Sequence, residues 1–433
     1  MLFTIAGVLN VDVENSLLYN RNTMSKMTHD PIKHIKFLRQ ALSQDKKPLG
    51  FFLSAGCPLA VGMPDEDWPL IPDVARLTSF VRDELKSKTE DKNTFDKLID
   101  EVDLSLRDTN NIEDILSFVR GLKEVSIGNT VRGFTKEELE ALEKNICSKI
   151  VSKLDVALPN KNTPYHKLAH WISIDREKPI DVFTTNYDLL LEEAFEDLSL
   201  PYFDGFVGSR QSFFDLRSVE DNLIPKHWTR LWKVHGSINW FQKETKEVFR
   251  SSKTTEINAS HLIYPSHLKY EQSRKMPYLA MIDQLNRFIR QPNSLLIISG
   301  YSFNDQHLND TIINALRANP NSMVIAMLFD TLTYKKEDDN SLVIRYPEAI
   351  EKAERRNNLA IWAYDEAVIG TIRGKWYIPT EIDAEDNIAH CIEKIEATAD
   401  TEEKHLLKLG DFSKLGDFLQ ELIGHNQTKL YED

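Results

Sequence analysis

Four short stretches of the chain carry small and polar residues in an arrangement that could do chemistry. Thr184-Thr185-Asn186-Tyr187-Asp188 offers an amide and a carboxylate within three positions. His235-Gly236-Ser237 offers an imidazole, able to accept or give a proton near neutral pH. Ser54-Ala55-Gly56-Cys57 supplies small residues where a backbone could approach a ligand closely, as a pyrophosphate requires. Gly300-Tyr301-Ser302-Phe303-Asn304-Asp305 is a second such turn. Spacing alone describes a nucleotide-binding α/β domain with an Asn, an Asp and a His nearby.

Each stretch follows an apolar run short enough to be a buried strand, at residues 50–53, 179–183, 231–234 and 295–299. In an open α/β sheet, ligands bind at the carboxyl ends of the strands, where these residues fall. Residues 322–328 read as one more buried strand, and 359–364 as an edge strand. Asp30-Pro31 and Thr163-Pro164 read as helix starts. The segments after Asp188 and after Asp305 are amphipathic. From about 72 to 158 the pattern is helical and charged. Asn111 can cap a helix, Thr135 with Glu138 makes a capping box, and Phe134 with Leu139 makes its hydrophobic staple. This block, about 66–160, reads as a helical insertion covering one side of the pocket. Residues 202–214 read as an aromatic-rich loop and 381–425 as helical and acidic. The expected organisation is a flexible extension at 1–29, a ligand-binding domain at 30–335, and a carboxyl region, 336–433, used for oligomer or partner contacts.

Composition narrows the function classes. The chain has 433 residues, 41 % of them hydrophobic, which is enough for a real core. Its 53 basic and 67 acidic residues leave a formal charge of −14, which argues against a general nucleic-acid binder or an anionic membrane surface. Cys57, Cys147 and Cys391 are far apart and show no CxxC spacing. Neither a disulfide framework nor a thiolate zinc site is supported, and a reducing cytoplasm fits. No apolar run approaches the roughly 18 residues that span a bilayer.

The residues themselves say more. Ser54-Ala55-Gly56-Cys57-Pro58-Leu59-Ala60-Val61-Gly62-Met63-Pro64-Asp65 resembles the sirtuin phosphate-loop motif, Gly-Ala-Gly-x-Ser-x-x-x-Gly-Ile-Pro-Asp. Thr184 to Asp188 resembles the sirtuin Thr-Gln-Asn-Ile-Asp, and Val234-His235-Gly236 the histidine-glycine motif. Gly300-Tyr301-Ser302 resembles the turn that meets the adenosine side of NAD. The departures matter. Ser54 replaces the first glycine and Pro58 the usual serine. Glu66 and Asp67 stand where deacylases have an aromatic and an arginine, and no cysteine between Cys147 and Cys391 could build their zinc module. The wording Thr-Thr-Asn-Tyr-Asp, His-Gly-Ser-Ile-Asn-Trp and Gly-Tyr-Ser-Phe-Asn-Asp-Gln-His-Leu-Asn is similar to bacterial sirtuin-like NAD hydrolases of anti-phage defence. The length is similar to the subunit of that group that works with a HerA-type ATPase.

The resemblance implies an α/β, Rossmann-like doubly wound parallel sheet with an inserted helical subdomain and no zinc module. It implies NAD as substrate, no metal, and cleavage of the nicotinamide–ribose bond. Asn186 would orient the water or the ribose hydroxyls, and His235 would be the general base. Ser54, Ala55, Gly56 and Cys57, with Asp188, Gly300, Tyr301 and Ser302, would hold NAD, and a valine at Gly56 would fill the pyrophosphate space. A homo-oligomer joined to a HerA-like ATPase is implied as well. The rival readings are an NAD- or ADP-ribose-binding regulatory subunit without turnover and an NAD-dependent protein deacylase.

Overall fold

A computed structural model describes residues 27–86, 89–253, 259–263, 277–336, 341–379, 389–397 and 403–423. Most of the expected flexible extension lies outside these residues. The central sheet has ten strands: β1 (Thr28–His29), β2 (Leu49–Leu53), β3 (Asp181–Thr184), β4 (Tyr202–Phe203), β5 (Thr229–Lys233), β6 (Leu295–Ser299), β7 (Met323–Met327), β8 (Leu359–Trp362), β9 (Glu366–Ile369) and β10 (Ile372–Trp376). Their order is β1-β10-β9-β8-β7-β6-β2-β3-β5-β4. From β8 to β4 every pairing is parallel, and β9 runs antiparallel to both of its neighbours, β8 and β10. Strands β2, β5 and β6 are buried at every position, as a parallel sheet covered on both faces requires. The Rossmann-like α/β class expected from the sequence is the observed one.

The chain leaves β2 toward β3 and β5 on one side, then crosses back to place β6 on the other side of β2. The connections after β2 and β6 therefore leave the sheet in opposite directions, and at such a switch point a ligand crevice forms outside the carboxyl ends of the strands. The cavity there is bordered by the helices Val74–Lys86, Ile112–Val125 and Lys136–Leu154, with Thr89–Leu104 packed against these three. Their starts follow the local rules: the Asn111 side chain accepts from Glu113 N at 2.9 Å, and Thr135 and Glu138 form the reciprocal capping box. Phe134 and Leu139 are fully buried.

Four local readings differ from the structure. Residues 359–364 do not form an edge: β8 lies between β7 and β9, because the chain hairpins back to add β9 and β10. Thr28–His29, placed by sequence in the flexible extension, pairs in parallel with β10, where Tyr377 N donates to His29 O at 2.9 Å. The aromatic-rich loop at 202–214 contributes β4 to the central sheet, and two strands, Phe206–Val207 and Gln211–Phe214, to a five-stranded antiparallel sheet completed by Gly236–Lys243, Val248–Ser251 and Ala259–Ile263. Its aromatic residues form the packing between strands: Phe206 meets Trp240 at 4.9 Å and Phe214 at 5.4 Å between ring centroids. Beyond 379, Ile392–Ile395 and Lys404–Leu407 form a hairpin, not helix. The helix Phe412–Ile423 docks on Pro164–Ile172, with the Tyr165 and Phe412 rings 5.2 Å apart.

Candidate functional site

The turn after β2 is tied to both neighbouring strand ends. Ser54 N donates to Ser299 O at 3.1 Å, and Gly56 N to Gly300 O at 3.0 Å. On the other side the Ser54 and Thr185 hydroxyls share a hydrogen bond of 2.7 Å. Asn186 closes the corner: its backbone N–H donates to Thr184 Oγ1 at 3.0 Å and its side-chain Nδ2 to Ser54 O at 3.3 Å. The carboxamide is thus oriented by the turn it borders.

Gly56 and Gly300 exist for mutual approach. A Cβ on Gly56 would lie 2.8 Å from Gly300 Cα, and one on Gly300, where φ is +70°, would lie 2.7 Å from Cys57 N. A side chain at Gly56 therefore strikes the β6 turn. The first atoms such a side chain meets are those of the Gly300 backbone. Cys57 is fully buried, donates its thiol toward Ser299 O at 3.4 Å, and has its pKa pushed up by burial to about 12, so it is no nucleophile.

His235 sits where β5 leaves the central sheet and Gly236, with φ +93°, turns the chain into the antiparallel sheet. Its Nε2 lies 3.3 Å from Asp305 Oδ2, and both side chains are nearly buried. Asp305 Oδ1 meanwhile accepts from His307 N at 3.0 Å and Leu308 N at 3.2 Å, capping the helix Gln306–Ala318. The Tyr301 hydroxyl lies 3.1 Å from Asp305 O and 2.8 Å from Asn309 Oδ1, which clamps the loop. Asp188 is buried. Its Oδ1 accepts from Leu190 N at 3.1 Å, and its backbone carbonyl accepts from the buried Lys233 ammonium, which also pairs with Glu192 at 2.8 Å. Burial raises the Asp188 carboxyl to about 6, partly offset by Lys233.

These groups line one cavity of about 320 Å³. Ser54, Ala55, Asn186, Asp188, His235, Tyr301 and Ser302, expected from sequence, all border it. Gly56, Cys57 and Gly300 stand behind the lining and shape the turns. Thr185, Tyr187, Asn304 and Asp305 border it too, as do Asn111 and Glu113 from the helical block. The Tyr187 hydroxyl donates to Glu113 Oε1 at 2.9 Å, tying the block to the end of β3. Sequence reasoning passed over Asp305 because an Asp before a helix already has a role as a cap. It passed over Glu113 because nothing local marks a contact 74 residues away. The helical side of the cavity is apolar, with Ile71, Leu77, Leu116 and Ile150 among its walls. The site thus offers an apolar half, a polar half and a carboxylate-backed imidazole.

Residues 181–376 match the family model of the SIR2-like domain. The chain carries a SIR2-like domain. It includes Asn186, Asp188, His235 and the Gly300–Ser302 turn, begins after the Ser54 turn, and extends through β10. Among solved structures, two mutants of a Sir2 homologue in complex with ADP-ribose are similar at 10% identity over 68% of this chain and 84% of that chain, with a TM-score of 0.33. A structure described as "Structural Basis for the Mechanism and Regulation of Sir2 Enzymes" is similar at 10% identity over 69% and 86%, with a TM-score of 0.34. No curated protein matches the chain. Among the described residues, no group of three or more His, Cys, Asp or Glu is placed to hold a metal ion, and no helix is long and apolar enough to cross a membrane.

Proposed function

We propose that the protein hydrolyses NAD at the nicotinamide–ribose bond, giving nicotinamide and ADP-ribose. The observation that carries this reading is the convergence of Asn186, the His235–Asp305 pair and the Ser54 turn on one cavity at the switch point of the sheet. In the reaction the bond from the ribose C1′ to the nicotinamide nitrogen breaks, and its electron pair leaves with the nicotinamide. A water oxygen bonds to the oxocarbenium-like C1′ and its proton passes to His235. Asp305 positions the imidazole and stabilises the imidazolium that forms. Asn186, fixed by Ser54 O, orients the water or the ribose hydroxyls. The turns at 54–57 and 300–302 hold the pyrophosphate and the adenosine side, with Asp188 at the ribose. No metal is needed for these steps.

The same resemblance supports a cytoplasmic homo-oligomer that associates with a HerA-like ATPase and depletes NAD as an anti-phage effector. Nicotinamide release by the purified chain, alone and with that ATPase, tests the reading. His235→Ala and Asn186→Ala are expected to lose at least about a hundredfold in turnover while still binding NAD, because their interactions strengthen in the transition state. Near-normal turnover in His235→Ala refutes the mechanism. Tight NAD binding without turnover, ATPase present, would instead indicate a regulatory subunit. Deacetylation of an acetyl-peptide coupled to nicotinamide release would indicate a deacylase.

A further inference from the structure

A second cleft, of about 550 Å³, opens at the opposite edge of the sheet, by the amino ends of β3 and β5. It is lined by four cations, Lys178, Lys226, Arg230 and Arg287, against two carboxylates, Glu177 and Asp181. In a chain of net charge −14 this is a local reversal of sign. Among the described residues none of the four cations has a carboxylate within 4.0 Å; Glu177 is turned to Lys46, at 3.7 Å.

Arg230 is the unusual member. It lies within β5 and is only 7 % exposed. Its Nε and Nη2 both point at Asn222 Oδ1, at 3.3 and 2.9 Å, and its buried Nη1 finds no acceptor. Asp181, the nearest balancing charge, already accepts from Trp232 Nε1 at 2.8 Å. A nearly buried guanidinium without an ion-pair partner is costly unless an anion joins it. Lys226 and Arg287 stand exposed at the rim, placed to close on such an anion.

We propose that this cleft binds a small phosphate-bearing molecule, its phosphate seated over Arg230 between Lys226 and Arg287. Phosphate suits this donor set, since guanidinium groups pair with it through two parallel hydrogen bonds and lysine adds a mobile charge. The site is separate from the cavity at the carboxyl ends of the strands and does not depend on the reaction proposed there.

Calorimetric titration of the full chain with inorganic phosphate and with pyrophosphate, at low ionic strength, tests it. The Lys226→Gln/Arg287→Gln double variant changes only exposed rim residues. It is expected to weaken phosphate binding at least tenfold while NAD binding stays unchanged, which separates this cleft from the Ser54 turn. Asp181→Asn keeps an acceptor for Trp232 and removes the competing carboxylate, so it should tighten phosphate binding several-fold. A purely structural role for the cluster would not produce that opposite sign. Inorganic phosphate binding alone assigns a phosphate subsite, whereas tighter pyrophosphate binding assigns a diphosphate ligand. Equal titrations for wild type and the double variant, or no saturable binding of either probe, overturn the proposal.

Discussion

Asp305→Asn is the most informative single change, because the two carboxylate oxygens have separate tasks. Oδ1 caps the helix Gln306–Ala318, and Oδ2 faces His235 Nε2 at 3.3 Å. Asparagine caps a helix as well as aspartate does, so stability should stay within about 0.5 kcal/mol of wild type, whereas Asp305→Ala should cost about 1 kcal/mol. Toward His235 the outcome differs. The amide offers an N–H where a carboxylate stood, favours the opposite imidazole tautomer, and no longer stabilises the imidazolium. A hydrogen bond to a charged group contributes about 1.5–3 kcal/mol, and about 1.4 kcal/mol is tenfold in rate. The kcat for nicotinamide release should therefore fall roughly 10- to 150-fold. KM should move by no more than about threefold, since the interaction gains strength only as the proton is transferred. The assay is steady-state nicotinamide release, with urea denaturation alongside. A fully folded Asp305→Asn protein with wild-type kcat would show that the contact is packing alone, and a KM effect without a kcat effect would reassign Asp305 to ligand binding.

Gly56→Val should drive the ends of β2 and β6 apart, because its Cβ meets Gly300 Cα at 2.8 Å. A loss of about 1–3 kcal/mol in denaturation, with NAD binding falling alongside, is expected; wild-type stability and binding together would contradict the close approach. Tyr187→Phe removes the 2.9 Å hydrogen bond to Glu113 and leaves that carboxylate without its donor. A loss of about 1–3 kcal/mol with a raised KM is expected, and an unchanged protein would mean the helical block is held by other contacts. Asp181 has its carboxyl raised by burial to about 6, above its unfolded value, with Arg230 and the Trp232 hydrogen bond opposing. Its contribution to stability is therefore complete below pH 4 and is lost as pH rises toward 6. Asp181→Asn should gain roughly 1–2 kcal/mol relative to wild type between pH 4 and pH 7 in urea denaturation, and parallel pH profiles would refute this.

The sheet was legible because its strands are short apolar runs followed by turns of small residues, and burial on both faces leaves no other reading for 49–53, 295–299 or 323–327. The meeting of Asn186 and His235 was legible for the same reason, since a strand fixes where its carboxyl end lies; the roles proposed for them came from the resemblance of their motifs. The parts that escaped depend on contacts between distant segments. Residues 359–364 have the composition of an edge strand or an interior one alike, and only the hairpin of β9 and β10 decides between them. Residues 202–214 lack clean alternation because each strand is only two to four residues long and is held by aromatic packing from Trp240 and its neighbours. The partner of His235 was hidden by a residue with two functions. An aspartate before a helix needs no further explanation in sequence, yet a carboxylate has two oxygens, and the cap uses only one. Where a polar side chain ends a strand–turn–helix passage beside a cavity, the unused acceptor is the place to look for the group that orients the base.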